Sequence, residues 1–410
     1  MTPFPLPLSD LLGHWPSYLV YLAIGFAFGY VLEIAGFGNA RKLAAQFYFK
    51  EMTVLKVMFG AIIVAMVLIF LSSAVGLLDY NLIWVNPTYL WPGIVGGLIM
   101  GFGFIIGGFC PGTSLVSAAT GKLDGIVFVL GVFFGIFLFG ETVGLYEEFW
   151  YSSYMGRFTL MDLFDANTGL IVLVIVVAAL LAFVGAELAE KHIGKMELAR
   201  FGKWRYGAAA SVMMAAFAVL FIAQPTNADK WERIAEEQQA GIDERAIYAH
   251  PGEIFDLMQD SKLIVYLIDV RNETDYNLFH ILDSEHIPLA EIEDRAPILN
   301  LQPANTLFVV LSNDETQATE AWRTLVAESV PNVYVLEGGI NGWLDTFADE
   351  EFIRTNRQSE HVDDTLAYTF SAALGVRYPA ADPNHDVFHL EYEAKVELQV
   401  KRGPASGGCG

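Results

Sequence analysis

The sequence predicts a polytopic α-helical membrane domain of about six spans, with one helix broken at Cys110, followed by a soluble α/β domain. Three observations carry this. Apolar runs of about 20 residues, long enough to cross ~30 Å of hydrocarbon, recur up to Ala223. From Gln224 onward the pattern changes to short apolar strands alternating with charged helices. Charge divides at the same place: residues 225–410 hold 34 Asp and Glu against 13 Lys and Arg, a net of −21 of the chain's −23. So acidic a surface argues against nucleic acid as a partner, because phosphate binding needs a basic face. The expected division is a membrane domain over 1–224, a linker over 225–244, an α/β domain over 245–350 and a C-terminal extension over 351–410.

The six spans read as roughly 17–36, 54–77, 88–109, 123–145, 168–188 and 206–224. Residues 1–17 contain no Lys or Arg. The basic n-region of a signal peptide is therefore missing, and the first apolar stretch is expected to stay as a span. Short-loop bases set the orientation. Arg41, Lys42 and Lys50 lie between the first two spans, Lys122 between the third and fourth, and Lys191, Lys195, Arg200, Lys203 and Arg205 between the fifth and sixth. The other connections are poor in base: Asp79 lies near one, and Glu147, Glu148, Asp162 and Asp165 surround a lone Arg157 in the next. This alternation places the N-terminus and the soluble domain outside the cytoplasm of a bacterial inner membrane. If the third segment re-enters instead of crossing, the parity changes and the domain falls inside. Residues 38–50 read either as an amphipathic interfacial helix or as a short basic loop.

The third segment carries the most unusual chemistry. Seven glycines fall between Gly96 and Gly112, and Pro111 follows Cys110 directly. Proline lacks a backbone donor and disfavours helix at the residue before it. A helix is expected to break near Cys110 and restart near Thr113. Non-helical backbone at membrane depth persists only when buried in protein or lining a cavity. A half-helix N-terminus then aims N–H groups and a positive dipole end at an anion. Gly107, Gly108, Cys110, Pro111, Gly112, Thr113 and Ser114 are the candidate binding residues, with the two hydroxyls as added donors and the thiol as a polarisable contact. The competing reading is that the glycines pack helices and Cys110 is a small buried apolar residue. Gly131 and Gly135 on the next span read as helix packing. Glu33 and Glu141 are acids within or at the edge of spans, where charge is costly; each reads either as functional or as interfacial.

The block Gly101 to Gly125, with Gly107-Gly108-Phe109-Cys110-Pro111-Gly112-Thr113 and then Gly121-Lys122-Leu123-Asp124-Gly125, resembles the YeeE/YedE sulfur-transport family. The stretch Gly29 to Arg41, with Glu33 and Gly36-Phe37-Gly38, also resembles that family's first span and loop. The likeness covers about 1–224. It implies uptake of thiosulfate or a related sulfur compound, with Cys110 contacting the substrate. Full-length relatives carry two such cysteine-bearing halves, and this chain has one. A complete pathway is then expected to need a homodimer or a second half-size subunit.

In the soluble domain, Ile264–Val270, Leu307–Leu311 and Val333–Leu336 read as buried strands and Thr316 to Val330 as a helix, so the sheet is expected to be parallel. Asp269-Val270-Arg271 with Glu273 and Tyr276, His286-Ile287-Pro288-Leu289, and the closing Leu336-Glu337-Gly338-Gly339-Ile340-Asn341-Gly342-Trp343 resemble a rhodanese domain. Such a domain presents a cysteine after its central strand, in a loop whose arginine and amides stabilise a persulfide. Here Ser312 stands at the cysteine position, followed by Asn313, Asp314, Glu315, Thr316 and Gln317. A serine hydroxyl forms no persulfide, and two acids repel thiosulfate and thiolate alike. No sulfurtransferase activity is expected from this loop. Asp269 and Arg271 are expected to pin strand to loop, and the domain reads either as a docking platform or as a vestigial scaffold.

Residues 351–385 read as an irregular polar connection. Phe388 to Val400 alternates apolar and polar positions, the pattern of a half-exposed strand. The end, Ser406-Gly407-Gly408-Cys409-Gly410, is similar to the swinging arm of the SoxY sulfur carriers, which implies a thiol that holds sulfur covalently. Otherwise it is an unordered terminus. The ten residues after Val400 reach ~35 Å when extended. With the two cysteines in different domains, no disulfide is expected. The eight histidines are scattered without ligand spacing to a cysteine, so neither a metal nor another cofactor is expected. The first expectation is therefore a transporter of thiosulfate or a similar anion, in contact with the lipid bilayer and with sulfur-metabolism enzymes as partners. The alternative is a membrane-anchored sulfur carrier that passes sulfur to those enzymes from Cys409 without transport.

Overall fold

Long apolar stretches free of Pro and charge propagate as helices until glycine or proline stops them, and the first half of the chain shows this repeatedly. The structure, a computed structural model, describes residues 4–6, 8–83, 85–194, 202, 204–358, 362–388 and 390–398. The chain divides into two compact units between Gln224 and Pro225.

The first unit holds α1 (Leu8–Leu12), α2 (His14–Ala35), α3 (Ala40–Ala45), α4 (Thr53–Ala74), α5 (Leu90–Gly107), α6 (Pro111–Ala119), α7 (Leu123–Thr142), α8 (Glu147–Trp150), α9 (Leu160–Phe164), α10 (Thr168–His192) and α11 (Trp204–Ile222). Among the described residues, six helical stretches are long and apolar enough to span a membrane, with Leu90–Ala119 counted as one despite its break. Helices α4, α10 and α11 pack tightly around Ile63, Val67, Val172, Val176, Ala216 and Val219. Gly169 permits a close crossing, because a Cβ there would lie 2.6 Å from Leu220 Cα.

The residues before α5 pair with the loop after α7: Tyr89 bridges Tyr154, and the Leu90 N–H donates to Ser153 O. The end of α6 turns through Gly121 straight into α7. Leu90–Ala119 therefore begins beside the residues that follow α8 and ends at the start of α7. The basic stretch 38–50 forms α3 and one 3₁₀ turn, Gln46–Tyr48, with Leu43 and Gln46 buried and Tyr48 exposed. Among the described residues nothing lies within 4 Å of where a Cβ would stand at Gly131 or Gly135, so neither makes the close approach expected of helix packing.

The second unit opens with α12 (Asn227–Asp243), capped by Thr226 and Asp229. The stretch expected to be a linker is therefore mostly helix. It packs on the α/β core through Trp231, whose ring lies edge-on to Trp322. The core comprises β1 (Tyr248–Ala249), α13 (Pro251–Met258), β2 (Ile264–Asp269), α14 (Glu273–Leu278), β3 (Glu285–His286), α15 (Ile292–Leu299), β4 (Thr306–Leu311), α16 (Thr316–Ala327), β5 (Val333–Leu336), α17 (Gly339–Phe347) and α18 (Glu350–Asn356). The sheet order is β1-β5-β4-β2-β3, every pair parallel. Central β4 is buried along its whole length, as a parallel strand covered on both faces must be.

Two expectations for the extension are corrected. Residues 351–385 are not wholly irregular, since α18 lies among them. Described residues 390–398 form no strand. The segment is held by side chains instead: the Lys395 and Val396 N–H groups both donate to Glu253 Oε1, and Tyr334 Oη bonds both the N–H and the carbonyl of Glu397. Leu390, Val396 and Leu398 pack against the core. Alternation here places apolar side chains inward without pairing to a neighbouring strand.

Candidate functional site

Two places collect the residues singled out above, one in each unit. In the first, α5 ends where Gly108 enters the left-handed region at φ +72°. Glycine is required on both counts. A Cβ at Gly108 would lie 3.1 Å from Ala40 O, and one at Gly107 would lie 2.3 Å from the Phe128 ring. Phe109 follows, buried with Phe37, Leu43 and Val54. Cys110 is extended, at φ −91° and ψ 167°, and caps α6, whose first residue is Pro111. The helix thus restarts at Pro111, two residues before the expected Thr113, because proline's missing N–H costs nothing in the first helical turn.

Cysteine here performs the work usually done by serine or aspartate. Its Sγ accepts from the Thr113 N–H at 3.4 Å and from the Thr113 hydroxyl at 3.3 Å. In return, Thr113 Oγ1 accepts from the Cys110 N–H at 2.9 Å. Ser114, wholly buried, donates its hydroxyl to Pro111 O at 2.7 Å. Both hydroxyls expected to face an anion are therefore turned back onto their own helix. Among the described residues the Gly112 N–H has no hydrogen-bond partner. Cys110 is half-buried and free. What remains outward at this helix start is a thiol, one N–H and the positive end of α6.

Glu33 lies near this site on α2. Lys122 reaches to 3.5 Å from its carboxylate and donates to Gly38 O at 2.8 Å. Gly38 is a close approach, since a Cβ would sit 2.5 Å from Glu33 Oε2. Glu141 is exposed on α7. Sequence reasoning missed Glu190, which is wholly buried on α10. It accepts from the Met52 N–H at 2.6 Å and from Lys56 at 2.7 Å. A signal was present, namely a glutamate and a lysine at the ends of two apolar stretches, but their pairing needs the fold.

In the second unit, Ser312 follows β4 directly and is fully buried. Its Oγ accepts from the Ala318 N–H at 3.1 Å and donates to Asp314 O at 3.1 Å, which closes the loop into the start of α16. Arg271 lies beneath, doubly bonded to Asp269 and reaching Asn313 Oδ1 at 3.2 Å and Phe279 O at 2.7 Å. This is the strand-to-loop pin the sequence suggested. Glu315 turns away to Arg245, at 2.7 Å, and accepts from the Gly338 N–H. Thr316 and Gln317 begin α16. Gly339, at φ +58°, lets α17 approach so closely that a Cβ would fall 2.5 Å from Ser312 O.

The outer face of the loop is already occupied. The Asn313 and Asp314 N–H groups both donate to Asp364 Oδ1, at 3.1 and 3.2 Å. The Asp364 N–H donates to Asp314 Oδ2 at 2.7 Å. Asp364 was not legible in the sequence: it lies 50 residues from its partner, in a stretch with no motif. Cys409 lies outside the described residues. Among the described residues, no group of three or more His, Cys, Asp or Glu is arranged to hold a metal ion.

An apolar helical unit with a capped break, joined to a parallel α/β unit, defines a membrane protein of two parts. The family profile described as sulphur transport matches residues 35–239, half of the 410-residue chain, and the chain belongs to that family. A rhodanese-like domain matches residues 251–346. No curated protein and no solved structure shows a significant match.

Proposed function

We propose that the protein moves thiosulfate or a related sulfur oxyanion across the bacterial inner membrane, past Cys110. The observation that supports this most is the start of α6. There a thiol, the partnerless Gly112 N–H and a helix N-terminus meet inside an apolar span. That arrangement attracts an anion without a buried lysine or arginine. Pro111 fixes the break, and Gly107 and Gly108 shape it. Thr113 and Ser114 orient the cap and do not contact the ion. Lys122 and Glu33 stand at the basic-loop end of the path. With six crossings the N-terminus and the α/β unit share one side, which the basic loops assign to the outside. A second copy, or a second half-size subunit, completes the pathway.

The rhodanese-like unit serves this transport as a docking platform for sulfur-metabolism enzymes, not as a sulfurtransferase, because Ser312 is buried and hydrogen-bonded within its loop. Cys409 carries sulfur. The test is uptake of sulfur-labelled thiosulfate by cells expressing the wild type, Cys110→Ala and Cys409→Ala at equal membrane abundance. Transport that fails only with Cys110→Ala establishes the thiol in the path, and a partial loss with Cys409→Ala shows that the arm feeds it. Absence of wild-type uptake together with a sulfur adduct on Cys409 replaces transport with an anchored carrier.

A further inference from the structure

Residues 357 and 358 pair with 367 and 368: Arg357 bridges Tyr368 and the Gln358 N–H donates to Ala367 O. Leu366, Ala367 and Tyr368 are buried in the core. The described part of the tip, residues 362–365, is more open and carries Asp364 onto the Ser312 loop. Four hydrogen bonds join tip to loop. Two are the Asn313 and Asp314 N–H groups on Asp364 Oδ1, one is the Asp364 N–H on Asp314 Oδ2, and one is Asn313 Nδ2 on Asp364 O at 3.1 Å. Asp314 Oδ1 accepts from the Thr316 N–H at 2.7 Å.

Two further facts make this seat unusual. Asp364 is held at φ +55°, a left-handed conformation that side-chain-bearing residues seldom adopt. Its second oxygen, Oδ2, is buried with no hydrogen-bond donor. A buried carboxylate oxygen without a donor is costly when ionised. The cost disappears if that oxygen carries a proton, because a carboxyl group can donate to the Asp314 carboxylate beside it.

We propose that Asp364 fills a carboxylate seat on the Ser312 loop as a protonated acid paired with Asp314, making residues 362–365 a latch that opens as pH rises. The surroundings agree. Asp314 faces Asp364 from the loop, and Asp275 of α14 reaches the same Asn313 side chain at 2.7 Å. Asp363 is exposed on the tip itself. Arg271 is committed to Asp269, and Glu315 to Arg245. From α17, uncharged Asn341 holds Thr365 O and the Ala367 N–H, while Asp345 pairs with Arg357. Burial, and then the Asp314 charge, raise the Asp364 carboxyl above the ordinary carboxylate range. Burial also pushes Asp314 upward, but the Thr316 and Asp364 amides outweigh it and hold Asp314 below that range. The signs follow. The raised acid contributes latch stability that is lost as pH climbs through its seated value. The lowered acid contributes stability that is lost as pH falls through its own. The latch is therefore firmest near the ordinary carboxylate range and opens toward neutral and alkaline pH, freeing the Asn313 and Asp314 amides.

Amide hydrogen exchange on the full chain in detergent, read at residues 313, 314 and 364 and corrected for intrinsic rates, tests this. Between pH 5 and pH 8, wild-type exchange should rise about tenfold for each unit by which the seated Asp364 carboxyl stands above pH 5. Asp364→Asn mimics the protonated acid and should stay protected with no such pH course. Asp364→Ala should expose residues 313 and 314 at every pH. Flat wild-type protection, an Asn variant that follows the wild-type course, or an Ala variant that stays protected would each overturn the latch. None of these outcomes depends on transport.

Discussion

Gly107 and Cys110 show how much one position can decide. Both were legible, because the Gly-Gly-Phe-Cys-Pro-Gly run has a local backbone meaning that no distant contact overrides. What a Cβ at Gly107 would strike was not legible, since Phe128 is brought there by the α6–α7 turn. Gly107→Ala should cost about 1–3 kcal/mol through overpacking, seen as a lower melting temperature in detergent. Thr113→Val removes the hydroxyl that accepts from the Cys110 N–H and donates to its sulfur. The expected loss is about 0.5–2 kcal/mol of cap stability. Uptake should fall with it, whereas Ser at position 113 should restore both. An unchanged melting temperature with Val would show that the cap contributes nothing.

Among the elements, the six long apolar stretches, the three central strands and helix α16 followed from periodicity and apolar length, and the central strands agree within a residue. The misses differ in cause. The segment 390–398 and the Glu190 pair depend on contacts between residues distant in sequence, whereas the linker helix α12 has a local signal, the Thr226–Asp229 capping box, that was overlooked. Glu190 ties α10 to the start of α4. Glu190→Ala strips the Met52 N–H of its acceptor and Lys56 of its counter-charge, at about 3–5 kcal/mol. Reduced membrane abundance, recovered at lower growth temperature, is the expected readout. Asp269→Ala has the matching effect in the α/β unit, because Arg271 is buried at 1% exposure with its charge then uncompensated. Increased proteolytic nicking around β2 and β4 would report it.

For the whole molecule, the two units have separate apolar cores and very different surfaces, one for lipid and one acidic. Differential scanning calorimetry in detergent should therefore resolve two heat-absorption transitions. Glu190→Ala should lower one and Asp269→Ala the other. A single transition moved by both variants would contradict this. Composition alone predicted the division, since apolar length and acid content change together near residue 224. It was silent on how residues 366–381 and 390–398 pack on the α/β core, because that packing uses scattered side chains and no repeating pattern.

The cap on α6 has a mechanical side. In most helices the capping atom is chemically inert, so the helix start is fixed once folding ends. Here the acceptor is a thiol sulfur that can itself form a new covalent bond. A substituent on Cys110 Sγ competes for the space around the atom with the Thr113 N–H and hydroxyl, which lie 3.4 and 3.3 Å from it. The first turn of α6 then slackens, and the segment that ends at the Gly121 turn feels the change. The occupancy of one atom is thereby converted into the tension of a helix.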